Sequence, residues 1–494
     1  MIDFNISKSR YIRAVQCKKM YWMDRVKPYE FDNSTIDEAI LENGENVGIL
    51  AVELFQGAVK VHYDTDKQKM MDETLLYIEE GQRYIAEASF AYRGRFLSVD
   101  ILEIVKKDNG IDVNIYEVKS STSLKDIYID DVSYQNHVMK KLGYNVLSVN
   151  LVILNTDYVR EGNLELLKLF MICDVTEKAA SREGRVEDML EFLSQDLDLA
   201  VEPDIDIEEH CFAPYPCGYF GYCTKHLPDN NIFTLRNMHR TEKLKMYNRG
   251  IYSYEDICSD LPTFSGLKEN VREQILGEDV VDVGQIREYI KDFTYPLYYL
   301  DFETVQYAIP PYDFSSPYQQ IPFQYSLHID YGNGKLIHKE YLAQDGVDFR
   351  HELSLRLIND IPMGVVSVAY NMAFEKGIIQ KLAFLFPDMR KHLMDIYANM
   401  KDLMVPFKNH WFYTKEMNGS YSIKYVLPAI CPGDPELNYA NLEGVKRGDE
   451  AMTAFKNMPF MSAQEKEKKR QELLHYCRLD TLAMVKIMER LREY

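Results

Sequence analysis

The chain has 494 residues, enough for two or three domains, and its hydrophobic content of 46% is ordinary for a protein that buries a core. No apolar run approaches the roughly 18 residues of a membrane span, and the opening Met-Ile-Asp-Phe-Asn-Ile-Ser-Lys lacks the charged-then-apolar pattern of a secretory signal, so a cytoplasmic protein without a membrane partner is expected. With 57 basic and 77 acidic residues the net charge is −20, which argues against a broadly basic nucleic-acid-coating surface but leaves room for sites where cations bridge carboxylates to phosphate.

In chain order, Ser7 to Trp22 has the apolar spacing of a short helix with Cys17 near its end. Residues 38–55 predict an amphipathic helix and residues 72–80 another. The period then changes to two. Phe96–Val105 and Ile111–Lys119 predict strands joined by Lys106-Lys107-Asp108-Asn109-Gly110, which carries the Asn-Gly hairpin signal. Glu117 and Lys119, two apart, share a strand face, and the partner strand can bring Asp100 beside them. Two carboxylates with a main-chain carbonyl make a hard oxygen site for Mg2+ or Mn2+. A lysine there can orient or help deprotonate water and offset phosphate charge. Taken alone, Asp…Glu-x-Lys also describes an exposed strand face with an ordinary ion pair. A helix over Asp130–Leu142, a strand over Asn145–Leu154, a strand over Leu164–Val175 and a charged helix over Glu177–Gln195 follow. Asp198–His210 is an acidic approach to the next feature.

Residues 211–223 place Cys211, Cys217 and Cys223 in a stretch rich in Pro, Gly and Tyr, with no helical or strand period. Eight cysteines (17, 173, 211, 217, 223, 258, 431 and 477) in a cytosolic chain read as free thiols plus a metal or cluster site, not as a disulfide framework. Three thiolates make an incomplete tetrahedral site, and Cys17 is the candidate fourth ligand.

Strand, helix and strand directly after Glu-x-Lys, one cysteine before the core and three after it, together resemble the RecB-like PD-(D/E)XK exonucleases. The closest subset has an iron–sulfur clasp and includes the CRISPR-associated adaptation exonuclease and AddB-type nucleases. The resemblance implies a restriction-endonuclease-like α/β core with Asp100, Glu117 and Lys119 as catalytic residues, the two acids also as metal ligands. It implies a [4Fe–4S] cluster on Cys17, Cys211, Cys217 and Cys223; four cysteines could also hold zinc. Here both cysteine gaps are five residues, where the family has two and five. The family histidine after Gly44 falls on Gly48, with Glu45 a possible substitute, and the family's Gln-x-x-x-Tyr survives as Gln135 and Met139.

From Thr224 to about Pro296 the chain predicts a helical connector (Leu235–Asn248, Tyr254–Ser259, Leu267–Leu276 and Val283–Asp292). Asn248-Arg249-Gly250-Ile251 turns between two of these helices. Arg236, His239, Arg240, Lys243, Lys245 and Arg249 form the densest positive cluster and the expected nucleic-acid path.

Leu297–Thr304 is an apolar strand ending in Asp301-x-Glu303, and acids on one face repel unless cations lie between them. Strands at Pro322–Ile329 and Ile337–Leu342, a helix at Phe349–Asn359 and a strand at Val365–Tyr370 follow, the last leading into Asn371–Glu375 at a helix start. Tyr476 and Asp480, four apart, share a face of a C-terminal helix. These three motifs in this order resemble the DnaQ-like DEDD 3′–5′ exonucleases of the ribonuclease H fold over residues 295–494. The resemblance implies that Asp301, Glu303, Glu375 and Asp480 hold two Mg2+ or Mn2+ ions and that Tyr476 orients water. His475 is spaced for the histidine variant, Glu375 replaces the usual aspartate, and Lys424 of Ser422-Ile423-Lys424 could contact phosphate.

The expected protein is an α/β multidomain chain: a nuclease domain over 1–225, a connector over 226–294 and an exonuclease domain over 295–494. Its expected partner is nucleic acid, DNA or alternatively RNA. Two alternatives stand beside it: an inactive first domain that grips nucleic acid, and a non-enzymatic interaction protein whose acidic sites bind structural cations.

Overall fold

In a computed structural model, which describes residues 6–35, 38–108, 110–194, 200–433, 437 and 439–494, the chain is a mixed α/β protein. It divides into two compact units, Met1–His226 with Tyr307–Tyr318 and Leu227–Gln306 with Gln319–Tyr494.

The first unit begins with β1 (Ile6–Ser7), α1 (Lys8–Gln16) and α2 (Lys18–Val26). The predicted helix over Ser7–Trp22 is two helices, because Cys17 is extended (φ −157°, ψ 120°) and breaks the run. Then come α3 (Glu38–Val52), β2 (Val59–Lys60), α4 (Lys67–Glu79), β3 (Tyr84–Tyr92), β4 (Arg95–Lys107), β5 (Gly110–Val118), α5 (Asp126–Lys141), β6 (Asn145–Leu154), β7 (Phe170–Asp174), α6 (Thr176–Ser181) and α7 (Glu183–Ser194). The sheet order is β2-β3-β4-β5-β6-β7, with β1 beside β4. β3, β4 and β5 form an antiparallel meander, and α5 is the crossover that makes β6 parallel to β5.

Val99, Val113, Ile115, Val149 and Leu151 of the sheet are buried with Val132, Val138 and Met139 of α5 in one core. Tyr134 of α5 stacks on Tyr11 of α1, ring centroids 4.9 Å apart, and its hydroxyl donates to Phe96 O (3.0 Å). The predicted strand over Leu164–Val175 opens instead as a helical turn, Leu166–Leu169. The predicted helix over Glu177–Gln195 is the pair α6 and α7. Asn109 of the predicted hairpin turn, Gln195, and Asp198 and Leu199 of the acidic approach lie outside the described residues.

The second unit carries short helices α8 (Arg240–Tyr247), α9 (Tyr254–Ser259), α10 (Leu261–Gly266), α11 (Glu269–Leu276) and α12 (Val283–Ile290). These are part of its packing: Val280–Val281 pairs with Phe412–Tyr413, and the Asn237 side-chain amide donates to Gly419 O (2.7 Å). Next come β8 (Leu297–Val305), β9 (Ile321–Asp330), β10 (Leu336–Leu342), α13 (Arg350–Asp360), β11 (Val366–Ala369), α14 (Met372–Leu385), α15 (Arg390–Ala398), β12 (Met400–Asp402), α16 (Ile423–Ile430), α17 (Gly448–Asn457) and α18 (Ala463–Leu491). The sheet order is β10-β9-β8-β11-β12. β8 is central, antiparallel to β9 on one side and parallel to β11 on the other. α18 is fixed at its start by a capping box between Ser462 and Glu465.

Candidate functional site

Strand register decides which acids meet in the first unit. Ala86 pairs with Ile101 and Ala88 with Val99, while Ile101 pairs with Tyr116. These pairs put Glu87, Asp100 and Glu117 on three neighbouring strands, with Glu87 and Asp100 each within electrostatic reach of Glu117. Asp131 and Gln135 of α5, four apart, meet the same acids. Gln135 Nε2 donates to Glu117 Oε2 (2.7 Å) and Asp131 Oδ1 (3.2 Å). Lys119 Nζ donates to Glu117 Oε1 (2.7 Å) and Asp131 Oδ2 (2.6 Å). Lys8, at the start of α1, donates to the same Glu117 Oε1 (2.7 Å) and lies 3.8 Å from Asp100 Oδ1 and 3.9 Å from Asp131 Oδ1. The N–H of Val118 donates to Asp100 Oδ2 (2.8 Å).

Burial, with Glu117 beside it, pushes Asp100 up to about 7 against the pull of Lys8 and Lys119. Burial would also raise Glu117, but Lys119 and Lys8 outweigh it and hold that carboxyl well below its usual range. Both lysines stay protonated although burial opposes their charge, because Glu117, Asp131 and Asp100 surround them. Asp100, Glu117, Lys119 and Gln135 thus come together as the sequence suggested, whereas Met139 lies in the core and Glu45 is exposed. Lys8, Glu87 and Asp131 were not foreseen. Of these, Asp131 had a readable signal, its helical spacing from Gln135.

The four cysteines also converge. Each of the sulfurs of Cys17, Cys211, Cys217 and Cys223 lies within electrostatic reach of the other three. The Gln16 side-chain amide donates to His210 O (2.9 Å) and Tyr215 O (2.7 Å), tying the end of α1 to the cysteine stretch. Asp24 accepts from Arg13 Nη2 (2.6 Å) and from the Tyr219 hydroxyl (2.8 Å). Met20, Trp22, Met23, Cys217 and Tyr219 make a separate apolar cluster around the site. Gly218 lies under the Phe31 ring, which an added Cβ would push aside. Burial pushes the Cys211 thiol up to about 12 and Cys217 to about 11, so these groups become thiolates only beside a cation. Four soft sulfurs fit either an iron–sulfur cluster or zinc. Among the described residues, the groups of His, Cys, Asp or Glu ligand atoms that lie within 4.8 Å of one another are His137, Glu183 and Glu187, and Asp301, Glu303 and Cys477.

In the second unit Asp301 and Glu303 lie on central β8, at the point where the sheet order reverses, and such points form crevices. Glu375 comes from the first turn of α14, 3% exposed, with Oε2 lacking a hydrogen-bond partner. That helix starts at Asn371, held left-handed (φ 71°), whose N–H donates to Asp402 Oδ1 (3.0 Å). Tyr476, Cys477 and Asp480 come from α18. The Cys477 thiol donates to Asp301 Oδ2 (3.6 Å) and the Tyr439 hydroxyl to Asp480 Oδ1 (2.5 Å). Tyr476 is buried and hydrogen-bonded to Asp480, whereas His475 faces solvent.

Burial raises Asp301, Glu303 and Glu375 well above the carboxylate range. Asp480 adds to the effect on Asp301, and Asp301 to the effect on Glu303 and Glu375. Asp480 is pushed by burial to about 6, moderated by Tyr439, Lys424 and Tyr476. Lys424 lies over the rings of Tyr439 and Tyr476, 5.4 Å from each centroid. Cys477, Asp402 and Tyr439 were not foreseen; for Cys477 the signal was its place one turn before Thr481, between Tyr476 and Asp480.

Beside these elements is a cavity of about 370 Å³, lined by Arg236, Tyr370, Asn371 and Ser422 among others. Of the rest of the expected basic path, His239, Arg240, Lys245 and Arg249 are exposed and Lys243 is half-buried. Arg249 pairs with Asp260, and Lys243 donates to Phe233 O (3.1 Å), its charge disfavoured by burial. Among the described residues no helix is long and apolar enough to cross a membrane.

Residues 298–422 match a family model described as a domain of unknown function, DUF2779. The match takes in Asp301, Glu303 and Glu375 and stops before Tyr476. Curated relatives include "Uncharacterized protein MG366" of Mycoplasma genitalium, 28% identical over 208 residues (38% of this chain, 31% of the relative). "Uncharacterized protein UU173" of Ureaplasma parvum is 28% identical over 210 residues (38% and 30%). The chain thus spans about three-tenths of the length of these relatives.

The raised carboxyls set a pH dependence. A carboxyl whose folded pKa is raised binds more protons folded than unfolded, so the cation-free protein loses stability as pH rises from about 4 toward 6 for Asp480 and toward 7 for Asp100. A divalent cation held by these carboxylates would compete with those protons. The rise in melting temperature caused by Mn2+ is therefore expected to be large at pH 7.5 and to shrink at pH 5.5; a shift that ignores pH would remove this linkage.

Proposed function

We propose that the chain is a metal-dependent nuclease that hydrolyses phosphodiester bonds of DNA from an end, with the second unit as a DEDD-type 3′–5′ exonuclease. The observation that carries this reading is the convergence of Asp301, Glu303, Glu375 and Asp480 from three elements at the reversal point of the sheet, with Tyr476 beside Asp480. Their mutual repulsion and raised affinity for protons are what a carboxylate set shows when its natural partners are cations. A central first strand, antiparallel on one side and parallel on the other, is also in keeping with a ribonuclease H-like fold.

Two Mg2+ or Mn2+ ions, when bound, would activate water and stabilise the leaving oxygen. The chain's own groups do the rest. Asp301, Glu303, Glu375 and Asp480 hold the positive charge in place, and Tyr476, anchored on Asp480, orients the attacking water. The water oxygen bonds to phosphorus as the P–O bond to the next nucleotide breaks, and the water's proton goes to the leaving oxygen. Lys424, over the Tyr476 ring, supplies a cation on the phosphate side.

The first unit is read as a RecB-like nuclease with Asp100 and Glu117 as ligands and Lys119 as the catalytic cation, closed by Cys17, Cys211, Cys217 and Cys223 on a [4Fe–4S] cluster. The resemblance to the clasped nucleases is what supports the cluster over zinc. One observation favours a second reading for this unit, as an inactive nucleic-acid grip: Lys8 already neutralises the carboxylates. Lys119→Ala separates the two on substrates blocked at the 5′ or 3′ end. An active first unit loses cleavage of 3′-blocked DNA by more than about 10²-fold; unchanged cleavage would establish the grip.

A further inference from the structure

α5 is covered on more than one side, and its buried residues run from Ile127 to Met139. Asp131 and Gln135 reach Glu117 from one face. His137, two positions beyond Gln135 and so about 200° further round the helix, meets α7 instead. There Glu183 and Glu187, four apart, share a face, and Val186, Leu190 and Leu193 of the same helix anchor it in the core. One ligand atom from each of His137, Glu183 and Glu187 lies within 4.8 Å of the other two.

The second observation is what these groups leave unmet. His137 is 1% exposed. Its Nδ1 lies 2.6 Å from Glu183 Oε1, but its Nε2 is enclosed without a hydrogen-bond partner, and so is Glu183 Oε2. Enclosed polar atoms without partners are rare in folded proteins and point to a water or an ion. Lys141 and Arg95 act on Glu187, yet neither gives a hydrogen bond to His137 Nε2 or Glu183 Oε2. The Lys141 pair (2.9 Å) sits at the exposed rim of the group, where a salt bridge contributes little.

We propose that His137, Glu183 and Glu187 form a Zn2+ site that clips α5 to α7, on the side of α5 away from Glu117. An imidazole nitrogen with two carboxylate oxygens suits Zn2+, which accepts three protein ligands and a water, whereas Mg2+ and Ca2+ prefer oxygen alone. Donors around a tetrahedral Zn2+ at about 2.0–2.2 Å stand about 3.4 Å from one another. Glu187, its side chain 52% exposed, is the arm that can close onto the ion. The inference stands apart from the nuclease reading of either unit and uses none of the cysteines. By fixing α5, the ion would steady Asp131 and Gln135 against Glu117.

The test counts the Zn2+ bound by the full chain at pH 7.5, by calorimetry, beside Glu187→Gln and His137→Gln. Glu187 stands at the surface, so its variant keeps the fold, and comparing whole chains cancels whatever the cysteines and the acids around Asp301 bind. Each variant is expected to lose one Zn2+ per chain or to bind it at least tenfold more weakly, and the rise in melting temperature that Zn2+ gives should shrink with it. Mg2+ is expected to bind all three chains alike. Equal Zn2+ counts and affinities in the full chain and in Glu187→Gln would overturn the site and leave a plain ion pair of His137 with Glu183. A loss of Mg2+ binding as large as the loss of Zn2+ binding would overturn the choice of Zn2+.

Discussion

Asp301→Asn is expected to cut Mn2+-dependent hydrolysis of single-stranded DNA from its 3′ end by on the order of 10³-fold, a loss of about 4 kcal/mol of transition-state stabilisation. Asp301 is the group on which the site converges. It shares a tight cluster with Glu303 and Cys477, and its charge acts on both Glu303 and Glu375. The fold should survive the change. Burial already favours the protonated form of Asp301, asparagine has nearly the shape of a protonated aspartate, and the Cys477 thiol keeps an oxygen to donate to. A melting temperature equal to wild type with activity lost would place the effect in chemistry, whereas undiminished activity would move the reaction elsewhere.

The second large effect concerns the cysteines. Purified protein is expected to be brown and to contain iron. Cys211→Ser should bleach it and lower the melting temperature of the first unit by on the order of 10 °C, because a metal group joining chain ends lends its binding energy to folding. Cys217 is buried, and Cys17 half-buried, against Trp22, Met23 and Tyr219, and the neighbouring contacts, Asp24 with Arg13 and Tyr219, would not replace four thiolate anchors to a bound metal group. Activity that depends on Asp301 should persist, since none of its ligands lies in that unit. Colourless, zinc-loaded protein would overturn the cluster assignment.

What the sequence allowed followed from local period. Asp301-x-Glu303 in an apolar strand and Tyr476-x-x-x-Asp480 on a helix each lie on one face by geometry alone, and both faces meet the same site. Asp100 and Glu117 were legible because a hairpin joins their strands. Glu87 was not, since its backbone is turned within the strand (φ +58°), and β3 itself was hidden by small residues (Ala86, Ala88 and Ala91) that blunt the alternation of a strand. Lys8 was out of reach for another reason: it meets Glu117 across 109 residues of sequence, and no periodicity carries such a contact. Leu166–Leu169 misled in the opposite sense, as a short apolar run that fits a strand or a buried helical turn equally well.

The most direct test is a time course of 3′-labelled single-stranded DNA with purified wild-type chain, with and without Mn2+ or Mg2+. The result expected is stepwise release of nucleoside 5′-monophosphates that needs the cation and stops on addition of EDTA. Intact DNA under every divalent cation, at protein concentrations where the fold is verified, would contradict the assignment of Asp301, Glu303, Glu375 and Asp480 as a hydrolytic centre.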